Sequence, residues 1–248
     1  MPASPAPASS SSTVEPGQVP LRPVPWWGLL SALAAPVVLL AGYLYAAGRT
    51  PGFDPVADLF SDLGAANSPT RWWLAATLGL LGACHVVTAL GLRPADSAGR
   101  WLLGAGGTGL WLVAALPNNT AGHFMVRHTF ASAIAFGLFA LWPAMSGHLG
   151  RPAWPLRRRV GVVVSVLGFV LIEATLFGIV TRSDTGGLRE LLLYAATSLW
   201  PLVVVLWTRL AGPGTAVPPV RRPTAGAQRT TAGAQPGATN GPGGATTG

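Results

Sequence analysis

Six apolar stretches, each about long enough to cross a bilayer, fill most of this chain: Trp26–Ala47, Trp72–Leu92, Trp101–Leu116, Thr129–Ser146, Val160–Thr181 and Leu191–Leu210. About 20 apolar residues at 1.5 Å rise per residue span a hydrocarbon core. Half of the 248 residues are hydrophobic and only 10% are charged, too few to coat a soluble domain of this length. The expected fold class is all-α: a polytopic membrane helix bundle with about six transmembrane helices and a short amphipathic helix in the first outer loop. The third stretch is the weakest. Its 16 residues reach about 24 Å and include Gly104, Gly106, Gly107 and Gly109, which suits a buried, tightly packed helix rather than a lipid-facing one.

The net charge of +8 comes entirely from arginine, and the arginines lie beside the spans rather than on one face, which removes the reason to invoke nucleic acid. Eleven of the 16 fall in the N-terminal tail, the second and fourth loops and the C-terminal tail, including the run Arg157–Arg159. The other five, Arg49, Arg71, Arg127, Arg182 and Arg189, flank the remaining loops. The positive-inside rule then places both termini in the cytoplasm of a multi-pass cell-membrane protein. Tryptophans at the span ends (Trp26, Trp27, Trp72, Trp73, Trp101, Trp142, Trp154, Trp207) suit interfacial belts. Residues 1–25 and 211–248, rich in Pro, Ala, Ser, Gly and Thr, read as disordered tails around a 26–210 membrane domain. The lone Cys84 reads as a small buried hydrophobe.

Polar groups gather on the outer side. In the segment 53–64, Val56, Leu59, Phe60 and Leu63 recur at helical spacing and Asp54, Asp58 and Asp62 every fourth residue. The pattern predicts one short helix, with Asp54 as N-cap, Pro55 at its first position and Gly64 ending it. His123, Arg127 and His128 before the fourth span, Arg182 and Asp184 after the fifth, and Arg189 and Glu190 before the sixth stand at the same level. Together they outline an outward vestibule for a small ligand or ion, with ion pairing among Asp58, Asp62, Arg127 and Arg189 as its simplest internal order. Within the membrane, Glu173 is expected to face the bundle interior, either as a relay or as a neutral acid bonded to a carbonyl or to Ser165. His85 is expected to be a core histidine with its hydrogen bonds satisfied.

Ser61-Asp62-Leu63-Gly64, His128 ahead of Phe136 and Leu141-Trp142-Pro143, and Gly187-Leu188-Arg189-Glu190 ahead of Leu199-Trp200-Pro201 occur in that order. In this the chain resembles the domain-of-unknown-function 998 family over roughly residues 26–210. The resemblance implies a membrane protein of about six spans with no assigned reaction, and it singles out Asp62, His128 and Glu190. Those three residues are open to two readings: cation ligands, or a hydrogen-bonded lock with His128 between the carboxylates. No His-x-x-x-His or Cys-x-x-Cys pair marks a metal site, and no cofactor is implied.

Three functions follow as expectations. The leading one is a non-enzymatic, transporter-like or lipid- or partner-binding module using Asp58, Asp62, His128, Arg189, Glu190 and Arg127 around the vestibule, with Glu173 as the intramembrane acid and membrane lipids as partners. The second is a membrane-embedded hydrolase or metalloenzyme acting on a lipid headgroup at the outer face. The third is a structural accessory subunit.

Overall fold

Long apolar runs with few helix breakers can satisfy their backbone in lipid only as helices, and six long helices form among the described residues. A computed structural model describes residues 23–118, 125–147 and 154–210. The helices are α1 (Trp26–Gly48), α2 (Arg71–Gly91), α3 (Ser97–Ala115), α4 (Met125–Ser146), α5 (Arg158–Val180) and α6 (Gly186–Leu210). The described residues contain no strand. Five of the six are long and apolar enough to cross a membrane, and the chain is a multi-pass helical membrane bundle. The exception is α3, whose glycines and Arg100 dilute its apolarity. Its 19 residues nevertheless reach about 28 Å. Both tails fall outside the described residues, apart from a short lead-in to α1 in which Val24 is buried.

Consecutive helices pack side by side from α1 to α5, and α6 closes the bundle against α1 and α5. Glycines set the closest of these contacts. Gly28 of α1 lies against Gly91 of α2, and Gly82 of α2 lies against Gly107 of α3, so that a Cβ on Gly107 would stand 2.6 Å from the Gly82 carbonyl oxygen. Gly106 and Gly109 admit Phe139 and Ala135 of α4 in the same way. Without a hydrophobic driving force between helices in lipid, such close approach supplies the dispersion energy that holds them together. The expectation of tight packing for α3 is therefore met. Its other face departs from the expectation, since Trp101, Trp111 and Leu112 are exposed.

Side chains also close the helix ends. Arg100 donates through Nε to the Ala89 carbonyl (2.9 Å) and through Nη2 to the Leu90 carbonyl (3.2 Å), satisfying acceptors at the end of α2. Trp26, Trp72 and Trp101 are exposed, as belt residues are, but Trp142 is 1% exposed and belongs to the core. Pro143 and Pro201 lie inside α4 and α6. The Leu-Trp-Pro triplets that contain them contribute to one apolar groove of about 300 Å³ between α4, α5 and α6, lined by Trp142, Pro143, Leu199 and Trp200 among others.

Gly107→Ala is expected to destabilise the protein by about 1–3 kcal/mol, because the helix backbones must separate. Gly79→Ala and Gly137→Ala, where an added Cβ meets nothing within 4 Å, should be neutral or slightly stabilising. Thermal unfolding of the three variants in one detergent checks this contrast.

Candidate functional site

The segment after α1 does not continue as one helix. Asp54 does cap a turn, its Oδ1 accepting the backbone N–H groups of Val56 (2.8 Å) and Ala57 (3.4 Å), and the Asp58 N–H closes that turn on the Asp54 carbonyl (2.8 Å). There the turn stops. The carbonyls of Val56 and Ala57 instead accept the N–H groups of Leu188 (3.1 Å) and Gly187 (3.3 Å) in the first turn of α6. These are donors that a helix start cannot satisfy internally. Gly187 is required at this contact, since a Cβ there would collide with the Asp58 carbonyl.

A separate 3-10 turn, Phe60–Gly64, then dips into the bundle. Phe60 is 1% exposed and Leu63 0%. The Phe60 ring packs on Tyr194 (centroids 4.6 Å apart) and Tyr43 (6.0 Å). Gly64 belongs to this turn instead of ending a longer helix. The three aspartates consequently do not share a solvated face. Asp58 Oδ2 accepts the Asp54 N–H (2.8 Å), whereas Asp62 turns inward and accepts from the Asn118 amide (3.0 Å).

The inward dip places Ser61 over Glu190. The Glu190 carboxylate, 7% exposed, accepts the Ser61 N–H (3.2 Å) and hydroxyl (3.4 Å). Glu190 and Ser61 line a cavity of about 60 Å³ with Asn118, His128, Ser132 and Thr175. His128, Ser132 and Phe136 reach it from α4 because a spacing of four puts them on one face. His128 Nδ1 lies 2.7 Å from the Leu116 carbonyl oxygen. A carbonyl only accepts, so Nδ1 carries a proton, and in the neutral ring Nε2 is left with a free lone pair. The expected lock between two carboxylates is thus replaced by a bond to the backbone. Asp62 stands within electrostatic range of both His128 and Glu190.

The sequence profile of the DUF998 family, described as a protein of unknown function, matches residues 33–207. The chain belongs to the DUF998 family. No curated protein and no solved structure matches it. In this DUF998 protein the residues singled out by resemblance do converge: Glu190 and His128 line one cavity, and Asp62 holds the Asn118 that lines it too. Arg127 is exposed, and Arg189 Nη1 donates to the Ala174 carbonyl (3.1 Å) near the end of α5. Among the described residues neither arginine forms the expected ion pair with Asp58 or Asp62. His123 lies outside the described residues.

Two intramembrane expectations are corrected. Glu173 is exposed on the outside of the bundle and does not face its interior. Ser165, its expected partner, instead accepts the Ala144 N–H (3.0 Å) in a bond between α5 and α4. His85 is a core residue, 1% exposed and 4.7 Å from the Phe139 ring centroid, but neither ring nitrogen has a hydrogen-bond partner among the described residues.

Sequence reasoning missed Asn118, Ser132 and Thr175. The i, i+4 relation to His128 marks Ser132, whereas Asn118 has no local signal beyond its place in a loop. The Asn118 Oδ1 is buried and without a hydrogen-bond partner among the described residues, although its amide nitrogen donates to Asp62. The groups lining the cavity thus include three acceptors, Glu190, Asn118 Oδ1 and the unprotonated nitrogen of His128, beside the Ser132 and Thr129 hydroxyls, which can donate as well as accept. Among the described residues no group of three His, Cys, Asp or Glu side chains is placed to hold a metal ion.

Burial holds the Asp62 carboxyl above its ordinary 3.8, with Asp58 pushing the same way and the hydrogen bonds from the Leu59–Asp62 turn and Asn118 opposing. The folded state accordingly binds more protons than the unfolded chain from about pH 4 upward. That part of the stability is lost as pH rises through the raised value. Asp62→Asn should flatten the fall in melting temperature as pH rises above about 4. Melting curves across that range test this, and an unchanged slope would refute it.

Proposed function

We propose that this DUF998 protein is a non-enzymatic, lipid-binding membrane module that takes an amphiphile carrying a primary ammonium headgroup. The observation that carries the reading is the buried Glu190 carboxylate, held by Ser61 in a cavity that Asn118, with its unpartnered Oδ1, and His128 also line. A buried carboxylate is costly without a compensating donor or cation. An ammonium group supplies three donors and one positive charge, matching Glu190, Asn118 Oδ1 and His128 Nε2.

The tail has a route as well. Phe136 and Leu193 border both the polar cavity and the apolar groove between α4, α5 and α6. A headgroup seated at Glu190 would lead its chain along that groove past the two Leu-Trp-Pro triplets, where close contact with their side chains supplies dispersion energy. The arginine distribution supports an arrangement in a cell membrane with both termini cytoplasmic and the cavity towards the outer leaflet. Asp58, Arg127 and Arg189 would then stand around the entrance as rim charges.

The test is lipid retention by the purified protein in mixed phosphatidylethanolamine and phosphatidylcholine bilayers, read by mass spectrometry. The wild type should enrich phosphatidylethanolamine, whose headgroup donates hydrogen bonds that a quaternary ammonium lacks. Glu190→Gln should reduce that enrichment by about tenfold or more, since a hydrogen bond to a charged group is worth about 1.5–3 kcal/mol. Equal retention of both lipids, or an unaffected variant, would refute the reading.

A further inference from the structure

A second groove, of about 460 Å³, lies between α2 and α3. It opens outward, since Leu90 and Trp101 in its walls are 57% and 77% exposed. The hollow exists because Ala89, Gly104 and Ala105 are small. A Cβ added at Gly104 would meet only the Ala89 side chain, at 3.6 Å. On α3 the groove runs from Ser97 to Thr108, roughly 16 Å by helical rise. Its two ends differ. At one end Thr108 donates its hydroxyl proton to the Ala105 carbonyl (2.8 Å), with Val86 as the lining residue of α2. At the other stands Arg100, beside the last turn of α2.

Arginine carries five N–H donors, and Arg100 gives two of them to the Ala89 and Leu90 carbonyls. Those bonds cap α2, yet a carbonyl has no net charge, so the positive charge at the mouth of the groove remains. The surroundings add to it. The Asp96 N–H donates to the Ser146 carbonyl (3.2 Å) and Gly147 lies against Arg158, so the α2–α3 and α4–α5 connections meet at one end of the bundle. Among the described residues, this end gathers Arg93, Arg100 and the run Arg157–Arg159 from those connections and the helix starts that follow them, with Asp96 as their one carboxylate. Even with Asp96 set against one of the arginines, positive charge is in excess.

We propose that this groove holds an acyl chain of an anionic glycerophospholipid whose phosphate is bound by Arg100. A hollow that faces lipid either takes up an acyl chain or forfeits the contacts of its lining atoms. The guanidinium fork fits phosphate oxygens in pairs, and the groove leads from Arg100 towards the apolar depth of α2 and α3. Basic pockets between spans are where anionic headgroups bind. The groove shares no residue with the Glu190 cavity or with the groove between α4, α5 and α6. It selects the opposite charge, so it stands independently of the ammonium reading.

The experiment purifies the full chain from bilayers of phosphatidylglycerol and phosphatidylcholine with identical acyl chains and measures retained lipid by mass spectrometry. The wild type should enrich phosphatidylglycerol. Arg100→Gln keeps an amide donor for the α2 carbonyls but no charge, and should reduce that enrichment by about tenfold. Ala105→Phe, at an exposed position, fills the groove without changing any charge and should lower the enrichment to a similar level. A diffuse attraction to the arginines would survive that second change. Phosphatidylglycerol with a photoreactive group on its acyl chain should label the wild type within residues 86–90 and 101–108. The labelling uses the wild type alone, so it decides the proposal even where a variant fails to fold. Equal retention of the two lipids, enrichment that persists in either variant, or labelling confined to other helices would overturn it.

Discussion

The carbonyls of Val56 and Ala57 accept the N–H groups of Leu188 and Gly187, and the arrangement of the polar end of the molecule depends on those two bonds. A helix start near the end of a membrane span has donors that nothing in its own helix can satisfy. Here the chain answers that need with another stretch of backbone. Holding the first connection onto α6 interrupts the helix that its side-chain pattern favours and turns Phe60 and Leu63 inward. The same turn lowers Ser61 onto Glu190, so a backbone requirement at one helix start positions the group that defines the cavity.

Below that end, the bundle relies on approach between backbones. The α1, α2 and α3 helices meet through Gly28, Gly91, Gly82 and Gly107 with little side-chain volume between them. On the other side, α5 and α6 leave an apolar groove. The molecule thus divides into a close-packed part and a looser part, and the cavity around Glu190 lies where the first connection bridges them. Helices α4, α5 and α6 all contribute to it.

The spans were legible because hydropathy over twenty residues outweighs local detail, and the glycines of α3 announced its close packing. The convergence of Asp62, His128 and Glu190 was legible as a shared level among loops. What hydropathy does not carry is which way a helix faces. Glu173 was assigned to the interior on the ground that charge avoids lipid, but its neighbours at steps of three and four are also exposed, and that periodicity held the contrary signal. The aspartate helix failed for another reason. Its spacing was sound, but the carbonyls needed to propagate it were taken by α6, a tertiary contact more than 120 residues away in the chain. Asn118 was illegible for the same kind of reason, since its role arises from Asp62 and the cavity around it.

The glycine contacts of α1 to α3 have a consequence for natural variation. A side chain added at Gly82 or Gly107 touches no cavity group, yet it pushes two helices apart. Its effect on a cell would be felt as less protein surviving quality control, because one or two kcal/mol can change abundance several-fold. Changes at Ser61, Asn118 or His128 instead alter the lining of the cavity in the copies that survive. A survey that scores only phenotype would merge the two classes, whereas one that also measures protein level would draw the outline of the scaffold separately from that of the site.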